Sequence, residues 1–165
     1  MTAFTRPATW DDLKLLAIYL NEAGAAYALI GGYAIAAHGY NRFSEDIDVL
    51  VDPAPDNTRR WVAALSRLPD GAAHILAGDD NVLAEGDGPP AIRINDEFTV
   101  DVMAAACGYS WHQLASDIIT VMIDEVPVRV LGLAGLLRTK EGMRTKDRAD
   151  AEVLRAALAA RQDEK

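Results

Sequence analysis

The stretch Asp46-Ile47-Asp48-Val49-Leu50-Val51-Asp52 constrains the fold more than any other part of the chain. Its β-branched centre, closed by Pro53 and Pro55, reads as one short strand. Side chains alternate along a strand, so Asp46 and Asp48 share a face, about 7 Å apart along the backbone. Ile47 and Val49 then face a core. Two like charges held side by side repel, so a protein tolerates them in open solvent or around a cation.

The rest of the chain supplies the elements such a strand needs. Leu13, Leu16, Ala17 and Leu20 fall at helical spacing after Thr9 or Asp11 as a cap, and Gly24 ends that helix. Tyr27 to Ile30 reads as a short buried strand running into Gly31-Gly32, and Tyr33 to His38 as an alanine-rich helix stopped by Gly39. A helix is expected over roughly 56–68, and a loop over the Gly-, Asp- and Pro-rich residues 77–90. Two hairpins are expected, one turning at Asp96-Glu97 and one at Asp124-Glu125. Two helices, over about 133–143 and 147–161, close the chain. With 165 residues, no repeats and no convincing linker, the expectation is one α+β domain. Residues of about 1–130 form its α/β core, a mixed β-sheet flanked by helices, and about 131–165 a C-terminal helical pair.

Composition narrows the function classes. Sixteen Lys and Arg against twenty-five Asp and Glu leave a net charge of −9, unlike a protein that binds nucleic acid through a broad basic face. The charge is uneven: residues 1–128 carry seven basic and nineteen acidic side chains, and residues 129–165 nine and six. One cysteine forms no internal disulfide, so nothing calls for an oxidising compartment. Asp11 and Asp12 interrupt any signal peptide, and the uncharged run from Ala23 to Asn41 is too polar and glycine-broken for a membrane span. A soluble cytoplasmic protein is expected.

Asp101, inside Phe98-Thr-Val-Asp-Val-Met103, is a lone charge on an otherwise apolar strand. With Asp46 and Asp48 it would complete a three-carboxylate cluster for two metal ions about 4 Å apart, and carboxylates on rigid strands suit Mg²⁺. Gly31-Gly32, without Cβ atoms, lets backbone N–H groups approach a phosphate, or serves only a tight turn. His38, His74 and His112 lack metal-ligand spacing, Cys107 reads as an ordinary buried thiol, and Trp10, Trp61 and Trp111 as core residues.

The order Gly31-Gly32, thirteen residues, Asp46-Ile47-Asp48 and a later strand aspartate resembles the DNA polymerase β-type nucleotidyltransferase superfamily. The closer likeness is to small bacterial members around the AbiEii-type toxins, through Leu29 to His38, Arg42 to Asp48, and Leu136 to Asp147 with Asp150 beyond. The resemblance implies a nucleotidyltransferase fold and transfer of a nucleoside monophosphate from an NTP such as ATP to an acceptor hydroxyl. It implies that Gly31 and Gly32 hold the β- and γ-phosphates. It also implies that Asp46, Asp48 and Asp101 bind two Mg²⁺ ions, and that Asp101 helps remove the acceptor's proton. Many relatives carry Ser at the second glycine; Gly32 leaves that contact to the backbone.

Beside an acidic metal centre, Lys140 and Arg144, four apart on one helix face, would hold the triphosphate tail, with Lys146 and Arg42 as further candidates. Otherwise they pair with Glu141, Asp147 or Asp150, and Asp147 caps the last helix. Tyr33 either packs or stacks on a base. The resemblance implies a tRNA, a partner protein or a small cationic molecule as acceptor, and a cognate toxin or antitoxin as partner, with a homodimer as a further expectation. The competing reading is a catalytically silent module that keeps the fold within a toxin–antitoxin pair.

Overall fold

A computed structural model describes residues 5–40, 44–83, 91–140 and 145–163, with backbone alone at 145–147 and 162–163. In chain order the main elements begin with α1 (Trp10–Glu22), β1 (Tyr27–Ile30), α2 (Gly31–Ala37), β2 (Ile47–Val51) and α3 (Pro55–Leu65). They continue with β3 (Ile92–Asn95), β4 (Thr99–Met103), β5 (Ala105–Ala106), β6 (Tyr109–Ser110) and α4 (Trp111–Leu114). The chain closes with β7 (Ile118–Ile123), β8 (Val126–Leu131), α5 (Leu133–Arg138) and α6 (Thr145–Asp163).

Six strands form one mixed sheet in the order β3-β4-β2-β1-β8-β7. β2 runs parallel to β4 and antiparallel to β1, β1 runs parallel to β8, and β3 and β7 are antiparallel edges. All four residues of β1 are buried, as are Ile47, Val49, Leu50 and Val51 of β2, so the middle of the sheet is covered on both faces. α1 lies against α3 and β8, α2 against β1, β2 and α5, and α5 against α6. The expected mixed sheet, flanking helices and C-terminal helical pair are all present.

α1 is held at its start by a capping box in which Thr9 and Asp12 satisfy each other's backbone N–H groups. Its buried stripe is Leu13, Leu16, Ala17 and Leu20, the spacing read from sequence. Among the described residues no helix is long and apolar enough to cross a membrane.

Several boundaries differ from the expectations. α2 begins at Gly31 itself rather than after the glycine pair. α6 begins at Thr145, which puts Asp147 in its first turn rather than at its cap. The residues that would extend α5 toward 143 lie mostly outside the described ones. Residues 72–76 form a short 3₁₀ segment, and the expected loop is described as turns only as far as Leu83. The small β5–β6 hairpin and α4 have too few residues to leave a periodic trace. Trp61 and Trp111 are buried as expected, but Trp10 is 41% exposed. It precedes the buried stripe of α1 and meets Tyr33 edge-on, with ring centroids 5.2 Å apart.

Candidate functional site

The parallel pairing of β2 with β4 sets Asp48 directly beside Asp101. Adjacent strands lie about 4.8 Å apart, so these two carboxylates start from neighbouring backbone positions on one face. On the far side of β2, Ile30 of β1 pairs with Asp48, and on the far side of β4, Arg93 of β3 pairs with Asp101. The row Ile30, Asp48, Asp101, Arg93 thus crosses four strands. Asp46 lies just before β2, two residues before Asp48.

This row is one wall of a cavity of about 910 Å³. Gly31, Asp46, Asp48, Asp101, Arg93 and Lys140 line it, with Ala105 to Cys107 of the small hairpin at another side. A volume of that size accommodates a nucleotide-sized ligand.

Gly31 is required here by sterics. Its φ is +72°, a left-handed conformation that favours glycine, and a Cβ built on it would overlap the Asp48 carboxylate. The missing side chain makes room for the acid. Gly32 and Tyr33 are buried and are not among the residues that line the cavity. The Tyr33 hydroxyl donates to the Ala8 carbonyl at 2.6 Å, so the structure turns this ring toward the start of α1. Burial raises its pKa above the ordinary phenol value, Asp12 adding to the effect.

Arg93 escaped the sequence reading. Its Nε donates to Asp101 Oδ1 at 3.0 Å and its Nη2 to Oδ2 at 3.2 Å, a two-pronged pair. The same Nη2 lies 3.5 Å from Asp46 Oδ2. Its hydrogen bonds to Asp101 and that carboxylate's charge, aided by the nearby Asp46 and Asp48 charges, hold the guanidinium pKa above its ordinary value. The expected two-residue turn at Asp96-Glu97 pairs position 93 with position 100; the observed loop takes in Phe98 as well, which moves the register by one and sets Arg93 opposite Asp101.

Lys140 reaches the cavity from the end of α5, and its Nζ lies 3.2 Å from Asp150 Oδ2 on α6. Both side chains are largely buried, and each has further interactions beyond this pair. Pairing with Asp150 and a place on the cavity, weighed as alternatives from sequence, coexist. Arg42 and Arg144 lie outside the described residues, as does the side chain of Lys146. Cys107 is not buried: it is exposed at the cavity rim, in the turn between β5 and β6, with φ +51°. His38 Nε2 is hydrogen-bonded to the Leu131 carbonyl at 3.0 Å, a structural role.

Among the described residues no three His, Cys, Asp or Glu side chains close on a common point. The Arg93 guanidinium lies between Asp101 and Asp46 instead. The donor set nevertheless fits a hard divalent cation: carboxylate oxygens on adjacent rigid strands, two of them already spanned by a positive charge.

The comparisons with known proteins agree with this geometry. The fold is similar to that of a protein from Thermotoga maritima described as a candidate nucleotidyltransferase, with a TM-score of 0.58 at 14% identity over 92% of both chains. It is also similar to an antigenic nucleotidyltransferase-like protein from Paracoccidioides brasiliensis, with a TM-score of 0.50 at 19% identity over 90% of this chain and 77% of the other. No curated protein sequence matches the chain significantly. Residues 14–124 match the model of a family described as the nucleotidyl transferase AbiEii toxin of a type IV toxin–antitoxin system. That match takes in β1, the glycine pair, β2 and β4, and the chain belongs to the AbiEii nucleotidyltransferase family.

Proposed function

We propose that this nucleotidyltransferase uses Mg²⁺ to transfer a nucleoside monophosphate from an NTP to an acceptor hydroxyl. The observation that carries the reading is the register of β2 against β4, which sets Asp48 beside Asp101 on the wall of a nucleotide-sized cavity. Asp46, Asp48 and Asp101 are the proposed ligands for two ions. Bound there, Mg²⁺ would neutralise phosphate charge and align the attacking and leaving oxygens.

The chain's own residues do the remainder. Asp101 accepts the proton of the acceptor hydroxyl as its oxygen bonds to the α-phosphorus. The bond from that phosphorus to the bridging oxygen breaks, and the electron pair leaves with pyrophosphate. Lys140, which also lines the cavity, is the proposed partner of the departing phosphates, a positive charge in a partly enclosed site. Arg42, Arg144 and Lys146 are proposed as further phosphate contacts and Gly31 as a backbone contact, with Gly32 and Tyr33 packed behind it.

The net charge of −9 favours a small cationic acceptor or a partner protein over an extended RNA surface. The family description is of a toxin of a type IV toxin–antitoxin system, which supports a cognate antitoxin as a protein partner.

Calorimetric titration of each of the four NTPs, with and without Mg²⁺, tests the reading on wild type and Asp48→Asn. The expected outcome is metal-dependent binding of at least one NTP that the variant loses while its circular dichroism stays unchanged. Binding of no NTP, or equal binding by the variant, overturns it and leaves the fold as an interaction module.

A further inference from the structure

Arg93 is the only Lys or Arg between Arg67 and Arg129 in the sequence, and it lines the cavity together with Glu45, Asp46, Asp48 and Asp101. It belongs to β3, an edge strand, so its stem is not locked between two neighbours. The side chain is 61% exposed, yet its planar fork engages both oxygens of Asp101 and leans on Asp46. Those are two of the three carboxylates proposed to hold divalent ions. A guanidinium and a divalent ion at the same oxygens repel each other, so occupation by one opposes the other.

We propose that Arg93 is a phosphate-binding residue stored on the metal-binding carboxylates. A divalent ion arriving with its nucleotide displaces the guanidinium from Asp101 and Asp46. The released fork then turns into the cavity it already lines and pairs with the nucleotide phosphates, which a planar two-pronged donor fits as well as it fits a carboxylate. The bare ion gains nothing from this exchange, because it must evict Arg93 with no phosphate to receive it. Metal and nucleotide therefore enter together. The inference rests on the Mg²⁺-dependent reading above.

The exchange predicts effects of opposite sign, which a merely structural ion pair would not produce. In Arg93→Gln, Mn²⁺ added alone is expected to bind about ten-fold more tightly than in wild type, by titration calorimetry or the loss of the free-ion electron paramagnetic resonance signal. In the same variant, the NTP that wild type binds in saturating Mg²⁺ is expected to bind about ten-fold more weakly. Arg93→Lys, which keeps the charge and loses the fork, should lie between wild type and Arg93→Gln on both scales. Thermal melts of each variant establish that it is folded.

Mn²⁺ affinity in Arg93→Gln equal to or below that of wild type overturns the proposal, as does an unchanged NTP affinity. Either result leaves the metal-site reading standing if Asp48→Asn still abolishes Mn²⁺ binding. Absence of Mn²⁺ and NTP binding in wild type overturns both.

Discussion

Gly31 shows how one missing side chain ties backbone to chemistry. Its left-handed φ and its approach to Asp48 leave no space for a Cβ, so the glycine and the acid are a matched pair. Gly31→Ala is expected to cost at least about 1 kcal/mol by chemical denaturation, from backbone conformation alone. It should also weaken Mn²⁺ binding by displacing the Asp48 carboxylate. A variant as stable as wild type would show that the backbone relaxes there without strain. The pair was only half legible in the sequence. A glycine between strand and helix is visible, but its reason lies on another strand. Arg93 was less legible still: the turn expected at Asp96-Glu97 pairs it with position 100, and only the observed register sets it opposite Asp101.

At the scale of elements, local chemistry decides where the helices start. α1 has its cap, acidic first turn and apolar stripe all in its own sequence, and its expected position agrees with the structure to within a residue. Burial pushes the Asp12 carboxyl up, but the Arg6 guanidinium, at 2.5 Å, and the Thr9 backbone N–H, at 2.8 Å, outweigh it and leave the pKa below the usual value. A carboxyl depressed in the folded state stabilises above its unfolded pKa, near 4, and loses that contribution as pH falls through the folded value. Wild type is therefore expected to lose stability below about pH 4 more steeply than Asp12→Asn, read from thermal midpoints against pH. Parallel acid limbs would mean that Asp12 does not contribute in this way.

α5 is the opposite case. Its N-cap, Gly132, has no side chain to offer. Asp117, from the turn before β7, accepts from the Gly135 N–H, and its carbonyl accepts from Gly132. Asp96, read as a turn residue, is fully buried and accepts from the backbone N–H groups of Asp70, Ala72 and Glu97, pinning the hairpin to the segment after α3. Both acids act on segments far away in sequence, which local patterns do not encode.

Across the whole molecule, the site is assembled from three distant parts of the chain: the β1–β2 region, the β3–β4 hairpin and the end of α5. The Lys140–Asp150 pair joins α5 to α6 and holds Lys140 at the cavity. Because both side chains are largely buried, removing Asp150 takes a counter-charge from a poorly solvated ammonium, which keeps only its other interactions. Asp150→Ala is expected to lower unfolding stability by about 3 kcal/mol in urea titration, far more than loss of an exposed pair. A change under about 0.5 kcal/mol would show that other interactions of Lys140 suffice.

The sequence alone determined the main element types, their mixture of strands and helices, and the three aspartates that line one cavity. These follow from short-range periodicity, from glycine and proline breaks, and from the rarity of a charge within an apolar strand. The tertiary structure decided which acids stand side by side, which cation spans them and which residues receive a distant cap. Those depend on strand order and register, where β2 pairs with β4 across about fifty residues of intervening chain. No local pattern records that choice, because it is settled by how whole strands bury their faces against one another.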